Sequence, residues 1–406
     1  MDAIFLQWID MVIRWLHVIA GVAWIGSSFY FVHLDLSLKQ REGLPEGAGG
    51  EAWQVHGGGF YNMVKYLVAP SQMPDSLTWF KWEAYTTWIS GMALLVVVYY
   101  LAAELYLIDT TVLELAPWAA VAISVGGLTV GYIVYDLLCR SRLGRSDAAL
   151  SGVGFVFLVA LAYVFTLVFS GRGAFMQMGA LIGTMMVANV FFIIIPNQRK
   201  VVAELIAGRE PDPTLGYAAK QRSLHNNYLT LPVLFVMIGN HYPLAFAGRW
   251  NWLILAIVLI LGATIRHFFN ERHKGAPTPW WTWGVAVVGM VFIVWLSSFP
   301  AVTADQAAAE PQSRFAEVEF IIQGRCSMCH AAEPQWYGVA EPVLYSFPVA
   351  PKGVVLETPE QMRLNAVAIG VQAVHTRAMP PGNITFIEDE ERALLAAWIA
   401  AGAPAW

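Results

Sequence analysis

Cys326-Ser-Met-Cys329-His330 places two thiols three residues apart and an imidazole directly after the second. The spacing Cys-x-x-Cys-His is the signature of c-type haem attachment. The two thiols add to the two haem vinyl groups, and the histidine then sits under the iron as proximal ligand. A zinc half-site and a redox dithiol are the competing readings. The only other cysteine is Cys139, so no second pair completes a zinc site, and a dithiol gives His330 no role. A sixth ligand is expected downstream, at Met379 beside the turn Pro380-Pro381-Gly382-Asn383. Met/His ligation raises the haem potential and suits an electron carrier. His375 is the competing ligand, and Met362 falls inside a helical pattern as core.

A second set of chemistry-bearing residues lies in apolar surroundings. His17, Gly21, Trp24 and Ser28 share one helical face. His33 follows His17 by 16 residues, roughly 24 Å at 1.5 Å per residue. His225 and His241 repeat this separation, which suggests two polar layers. The outer layer holds His17, Asn240 and His241. Its imidazoles could ligate a b-type haem, with Gly21 leaving room for the ring; the alternative is a hydrogen-bonded helix contact. The inner layer holds His33, His225, Asn226, Asn227, Tyr228 and His267.

His56-Gly57-Gly58-Gly59-Phe60 adds a histidine before a flexible turn, and Pro196-Asn197-Gln198 adds amides, with Asn189 two turns earlier. Amide side chains both donate and accept, so they match the edge of a purine-like heterocycle. Trp82, Tyr85 and Trp88 could stack on it or form an interfacial belt. Lys65 and Asp75 are nearby charges or ordinary loop charges. Cys139 is a bystander at a helix end.

The elements that carry these residues follow from composition. Of 406 residues, 57% are hydrophobic and 13% charged, and the mean hydropathy is +0.53. Soluble proteins carry about 25% charged residues. Disordered chains, disulfide scaffolds and nucleic-acid binders are excluded, and a polytopic membrane protein is indicated. Eight transmembrane helices are expected at 10–34, 79–103, 115–138, 148–170, 175–196, 225–245, 250–269 and 281–300. A re-entrant or peripheral segment is expected within the first loop, 35–78. Fifteen Lys/Arg, Arg222 and Arg266 among them, fall in the odd connectors and two, Arg172 and Arg249, in the even ones. By the positive-inside rule the odd connectors are cytoplasmic and both termini periplasmic.

The expected fold is all-α: an eight-span membrane bundle over 1–300, a linker at 301–315 and a periplasmic, class I-like cytochrome c domain over 316–406. That last part is acidic, as residues 301–406 hold 6 Lys/Arg against 12 Asp/Glu.

With these residues in view, the chain resembles the bacterial membrane-bound urate hydroxylases, cytochrome-c-linked urate oxidases of the plasma membrane. The resemblance rests on Arg14-Trp-Leu-His17 through Gly26, His56 to Phe60, Pro74-Asp75, and Trp79 to Tyr85. It extends to Pro196-Asn197-Gln198, His225 to Tyr228, Asn240-His241-Tyr242-Pro243 and Met379 to Asn383. It implies conversion of urate and water to 5-hydroxyisourate, two electrons and two protons. The electrons would leave through the c haem to a soluble cytochrome c or another respiratory-chain acceptor, not directly to oxygen.

On this reading Asn226, Asn227 and Gln198 fix urate in the inner layer, near His33, and His225 or His56 acts as base. A b haem on His17 and His241 relays electrons between the layers; a substrate site in the outer layer would make the relay unnecessary. A different class, an electron-transfer subunit of a quinol-oxidising complex, remains the alternative. A transporter with a fused cytochrome has little support without inverted repeats. Oligomeric state is not legible.

Overall fold

The computed structural model describes residues 3–70, 72–303, 315–335 and 349–404. The order is α1 (Ala3–Ser37), β1 (Ala48–His56), β2 (Gly59–Tyr66), α2 (Trp82–Leu94), α3 (Ala103–Tyr106), α4 (Pro117–Arg140), α5 (Asp147–Thr166), α6 (Gly171–Ala188), α7 (Ile195–Ile206), α8 (Pro213–Gly239), α9 (Pro243–Phe246), α10 (Asn251–His273) and α11 (Trp281–Ser297). There follow α12 (Phe315–Arg325), α13 (Pro359–Leu364), α14 (Ala366–Ile369) and α15 (Asp389–Ala400). π-helical turns extend α2 over Leu95–Tyr100 and join α6 to α7 over Asn189–Ile194.

The protein is mostly helical, and five helices are long and apolar enough to cross a membrane. They are Phe5–Ser37, Pro117–Arg140, Asp147–Thr166, Gly171–Ile206 and Asn251–His273. Helices also stand at the three remaining expected positions, as α2 with its π-turn, α8 and α11.

Local sequence sets the ends. Pro117 and Pro213 open α4 and α8 at the helix start, where the missing N–H costs nothing. Ser146 and Ser170 cap α5 and α6, accepting from Ala149 N and Gly173 N. The bundle core is built around α6, whose Phe175, Met178, Leu181, Ile182 and Met185 are buried. Gly262 of α10 faces Pro232 of α8 so closely that a Cβ there would lie 2.3 Å from the proline ring. That glycine permits the α8–α10 crossing.

The first loop departs from the all-α expectation. Residues 48–66 form an antiparallel hairpin, with His56 paired to Gly59. Gly57 and Gly58 make the two-residue turn with φ of +59° and +78°, a geometry open to glycine. The His-Gly-Gly-Gly segment is therefore a hairpin tip, and His56 is exposed.

The C-terminal helices pack around Ile322, Met362, Leu395 and Trp398. Capping boxes at Thr358/Gln361 and Glu388/Glu391 start α13 and α15. This unit is docked on the bundle. Ala301 N and Val302 N donate to His375 O and Val374 O, and Arg377 N donates to Ala247 O. The start of the expected linker is thus part of the junction; residues 304–314 of it lie outside the described residues.

Candidate functional site

The residues of the Cys-x-x-Cys-His motif and Met379 meet at one cavity of about 1060 Å³. Cys326, Cys329, His330 and Met379 all line it. The motif continues α12, as His330 N donates to Cys326 O. His330 Nδ1 lies 3.0 Å from Val354 O. Donation there fixes the tautomer with Nε2 free to act as a ligand.

Met379 is held by its backbone: its N donates to Gln372 O, and its carbonyl accepts from Arg392 Nη1 at 2.9 Å. Arg392 is buried and also donates to Ala373 O; burial pulls its pKa down to about 10. His375, the competing ligand, is otherwise engaged: its Nε2 lies 2.7 Å from Ser297 O, at the junction with α11.

Burial pushes the free Cys326 thiol up to about 12 and Cys329 up to about 11. Redox-active dithiols are tuned the opposite way, toward thiolate. Two thiols, an imidazole and a thioether on one cavity fit the residues that a covalently held haem needs, and the volume, slightly above the usual range of about 300–1,000 Å³ for ligand pockets, leaves room for a large group.

The same cavity reaches the bundle. Arg172, Asn240 and His241 line it together with the Cys-x-x-Cys-His residues. Asn240 Oδ1 accepts from Arg172 Nε at 2.7 Å and from Tyr99 OH at 2.8 Å, and Arg172 lies over the Tyr106 ring at 4.5 Å. The other proposed outer histidine, His17, sits in the α1–α2 seam. Its Nδ1 is 2.9 Å from Thr87 O and 3.2 Å from Ser90 Oγ. Its ring takes the space beside Gly91, where a Cβ would be 2.9 Å from Cε1. Arg14 bears electrostatically on both His17 and His241, so the two belong to one end of the bundle.

The expected inner layer divides into two clusters. The first joins α4, α6 and α8. Asn189 Nδ2 donates to Tyr135 OH and to Asn226 Oδ1, and Asn226 Nδ2 donates to Met186 O. His225 Nδ1 is 2.8 Å from Tyr135 OH. Arg222 donates to Asn189 Oδ1 and pairs with Asp136 at 2.7 Å. Every buried polar group named here has a partner. The π-turn begins at Asn189, a distortion frequent at functional sites.

The second cluster joins α1, α8 and α10. Asn227 Oδ1 accepts from Asn270 Nδ2 at 2.9 Å and from Arg266 Nε at 3.4 Å. Arg266 Nη2 donates to Asn270 Oδ1 at 3.2 Å, and its guanidinium lies 3.8 Å from the Phe29 ring centroid. His33 meets His273 edge-on at 4.4 Å. This cluster is not saturated: Asn227 Nδ2 and His273 Nδ1 are buried with no partner.

Of the six catalytic candidates named from sequence, the structure brings His225 and Asn226 together in one cluster and places Asn227 and His33 in the other. It does not bring in His56, at the hairpin tip, or Gln198, exposed on α7. Arg266, Asn270, Tyr135 and Asp136 were missed. Arg222 and Arg266 counted as loop cations, yet both are buried, 3% and 5% exposed.

The urate oxidase N-terminal family model matches residues 3–297, and the chain belongs to that family. No curated protein and no solved structure matches the chain.

Proposed function

We propose that this protein is a membrane-bound urate hydroxylase that converts urate and water to 5-hydroxyisourate and passes two electrons through a C-terminal cytochrome c domain. Membership of a urate oxidase family supports urate oxidation. The observation that carries the electron route is the cavity shared by Cys326, Cys329, His330 and Met379 with Arg172, Asn240 and His241 of the family-matched part.

On this reading eight helices span the plasma membrane, with both termini and residues 316–406 periplasmic. A c haem would be held by thioethers from Cys326 and Cys329, with His330 and Met379 as axial ligands; it supplies a one-electron acceptor. Arg172 and Arg249 on the cavity wall, with no carboxylate partner among the described residues, suit the propionates of such a group. His17 and His241 remain the proposed ligands of a b haem. The tautomer favoured by the Thr87 carbonyl leaves His17 Nε2 available.

The protein's own groups bind the purine in the inner layer and keep water ordered for addition. A histidine there takes the N–H proton. Two sites are available for that base: His225, whose Nδ1 is held by Tyr135, and the His33–His273 pair of the other cluster. The oxidant is a soluble cytochrome c or another respiratory acceptor, so no peroxide forms.

The test is stoichiometric. Purified haem-loaded protein, given urate and excess ferricytochrome c without oxygen, should reduce two cytochromes per urate consumed. Urate consumption that requires oxygen and yields peroxide would contradict the reading.

A further inference from the structure

Arg222 and Arg266 are a natural comparison. Both are buried arginines at one end of the bundle. Arg222 has its carboxylate, Asp136, at 2.7 Å. Arg266 has none within 4.0 Å among the described residues; its neighbours are neutral amides and the face of Phe29. A buried charge without a counter-charge is strongly unfavourable, and an ionisable residue inside a membrane bundle marks a ligand path by default.

The amides around it are spent in one direction only. Asn227 uses its oxygen twice, while its Nδ2, on a residue 0% exposed, has no partner. Arg266 commits Nε and Nη2, and guanidinium has five N–H donors. The site thus presents unspent donors, one of them cationic, beside an aromatic face. That pattern calls for the acceptor edge of a flat anion.

We propose that Arg266, Asn227 and Asn270 form the binding site for the purine anion, with Arg266 as its counter-charge and Phe29 beneath the guanidinium. This rests on the urate-oxidising reading and deepens it by placing the substrate in the α1–α8–α10 cluster rather than in the saturated one around Asn226. The carbonyl oxygen and deprotonated ring nitrogen of urate accept from Arg266 and Asn227 Nδ2. The His33–His273 pair stands at the side of the site as its titratable neighbour.

Haem-loaded full-length protein is titrated anaerobically with urate, and the initial rate of c-band reduction is fitted for KM and kcat. Arg266→Gln is the direct variant. Asn270→Asp places a carboxylate beside Arg266 and so supplies the missing counter-charge within the fold. KM for urate should rise at least about tenfold in both, as expected for loss of a charge-assisted contact. Ascorbate should still reduce the c band, and Asn270→Asp should melt no lower than the wild type.

A KM for Asn270→Asp within about twofold of wild type overturns the site. Xanthine should compete with urate and inorganic phosphate should not; competition by phosphate alone overturns the flat-anion assignment. A wild type that urate does not reduce overturns the functional reading and the site together, whereas a responsive wild type with both variants keeping its KM overturns the site alone.

Discussion

His375 Nε2 lies 2.7 Å from the backbone oxygen of Ser297. One hydrogen bond thus joins the end of the family-matched region to the segment just before Met379. Beside it, Gly382 fits against the carbonyl oxygens of Glu104 and Ile108, where a Cβ would stand 2.5 and 2.6 Å away, at φ +59°. The C-terminal unit is therefore seated on the bundle through backbone contacts that a side chain would disrupt.

Gly382→Val tests that seating. The strained φ alone costs about 1–3 kcal/mol, and the collision adds to it. The variant should keep covalent haem on a denaturing gel but lose most of its urate-driven c-band reduction. An unchanged rate would show that the contact with α3 does not matter.

Ligation separates into two predictions. Cys326→Ala should abolish or strongly reduce covalent haem, read by haem stain. Met379→Leu should leave the covalent stain intact and lower the reduction potential, because Met/His ligation raises it. A potential unchanged in Met379→Leu would remove Met379 as ligand.

Cys326, Cys329 and His330 could be named together from the sequence because they lie within five residues of one another, directly after α12 ends at Arg325. The helical positions were legible from apolar length. The hairpin at 48–66 was not read, although Trp53 and Val55 alternate with Gln54 and His56 around a Gly-Gly turn. The inner layer was read as one cluster because Asn226 and Asn227 are neighbours in sequence. Successive residues on a helix diverge by about 100°, so the two amides face different partners. Arg222 and Arg266 were taken for loop cations since charge near the end of an apolar run is usually solvated. Burial, which the sequence does not show, decides otherwise.

Asp136→Asn breaks the Arg222 pair. Removing one partner of a buried pair costs about 3–5 kcal/mol, and the lower value applies since the Asp136 side chain is 17% exposed. The detergent-solubilised variant should melt well below wild type while its KM for urate stays unchanged. A raised KM with normal melting would move the substrate to this cluster.

His17→Ala addresses the relay. The Nδ1 contact to Thr87 orients the ring, so its loss should remove any b-type band while the covalent c haem is kept. Haem content identical to wild type would end the case for a b haem on His17.

The most direct measurement is anaerobic spectroscopy of the air-oxidised, full-length protein on addition of urate. The account predicts that the c-type band is reduced, following reduction of a b-type band. A c band that stays oxidised with urate and is reduced fully by a quinol analogue would contradict it.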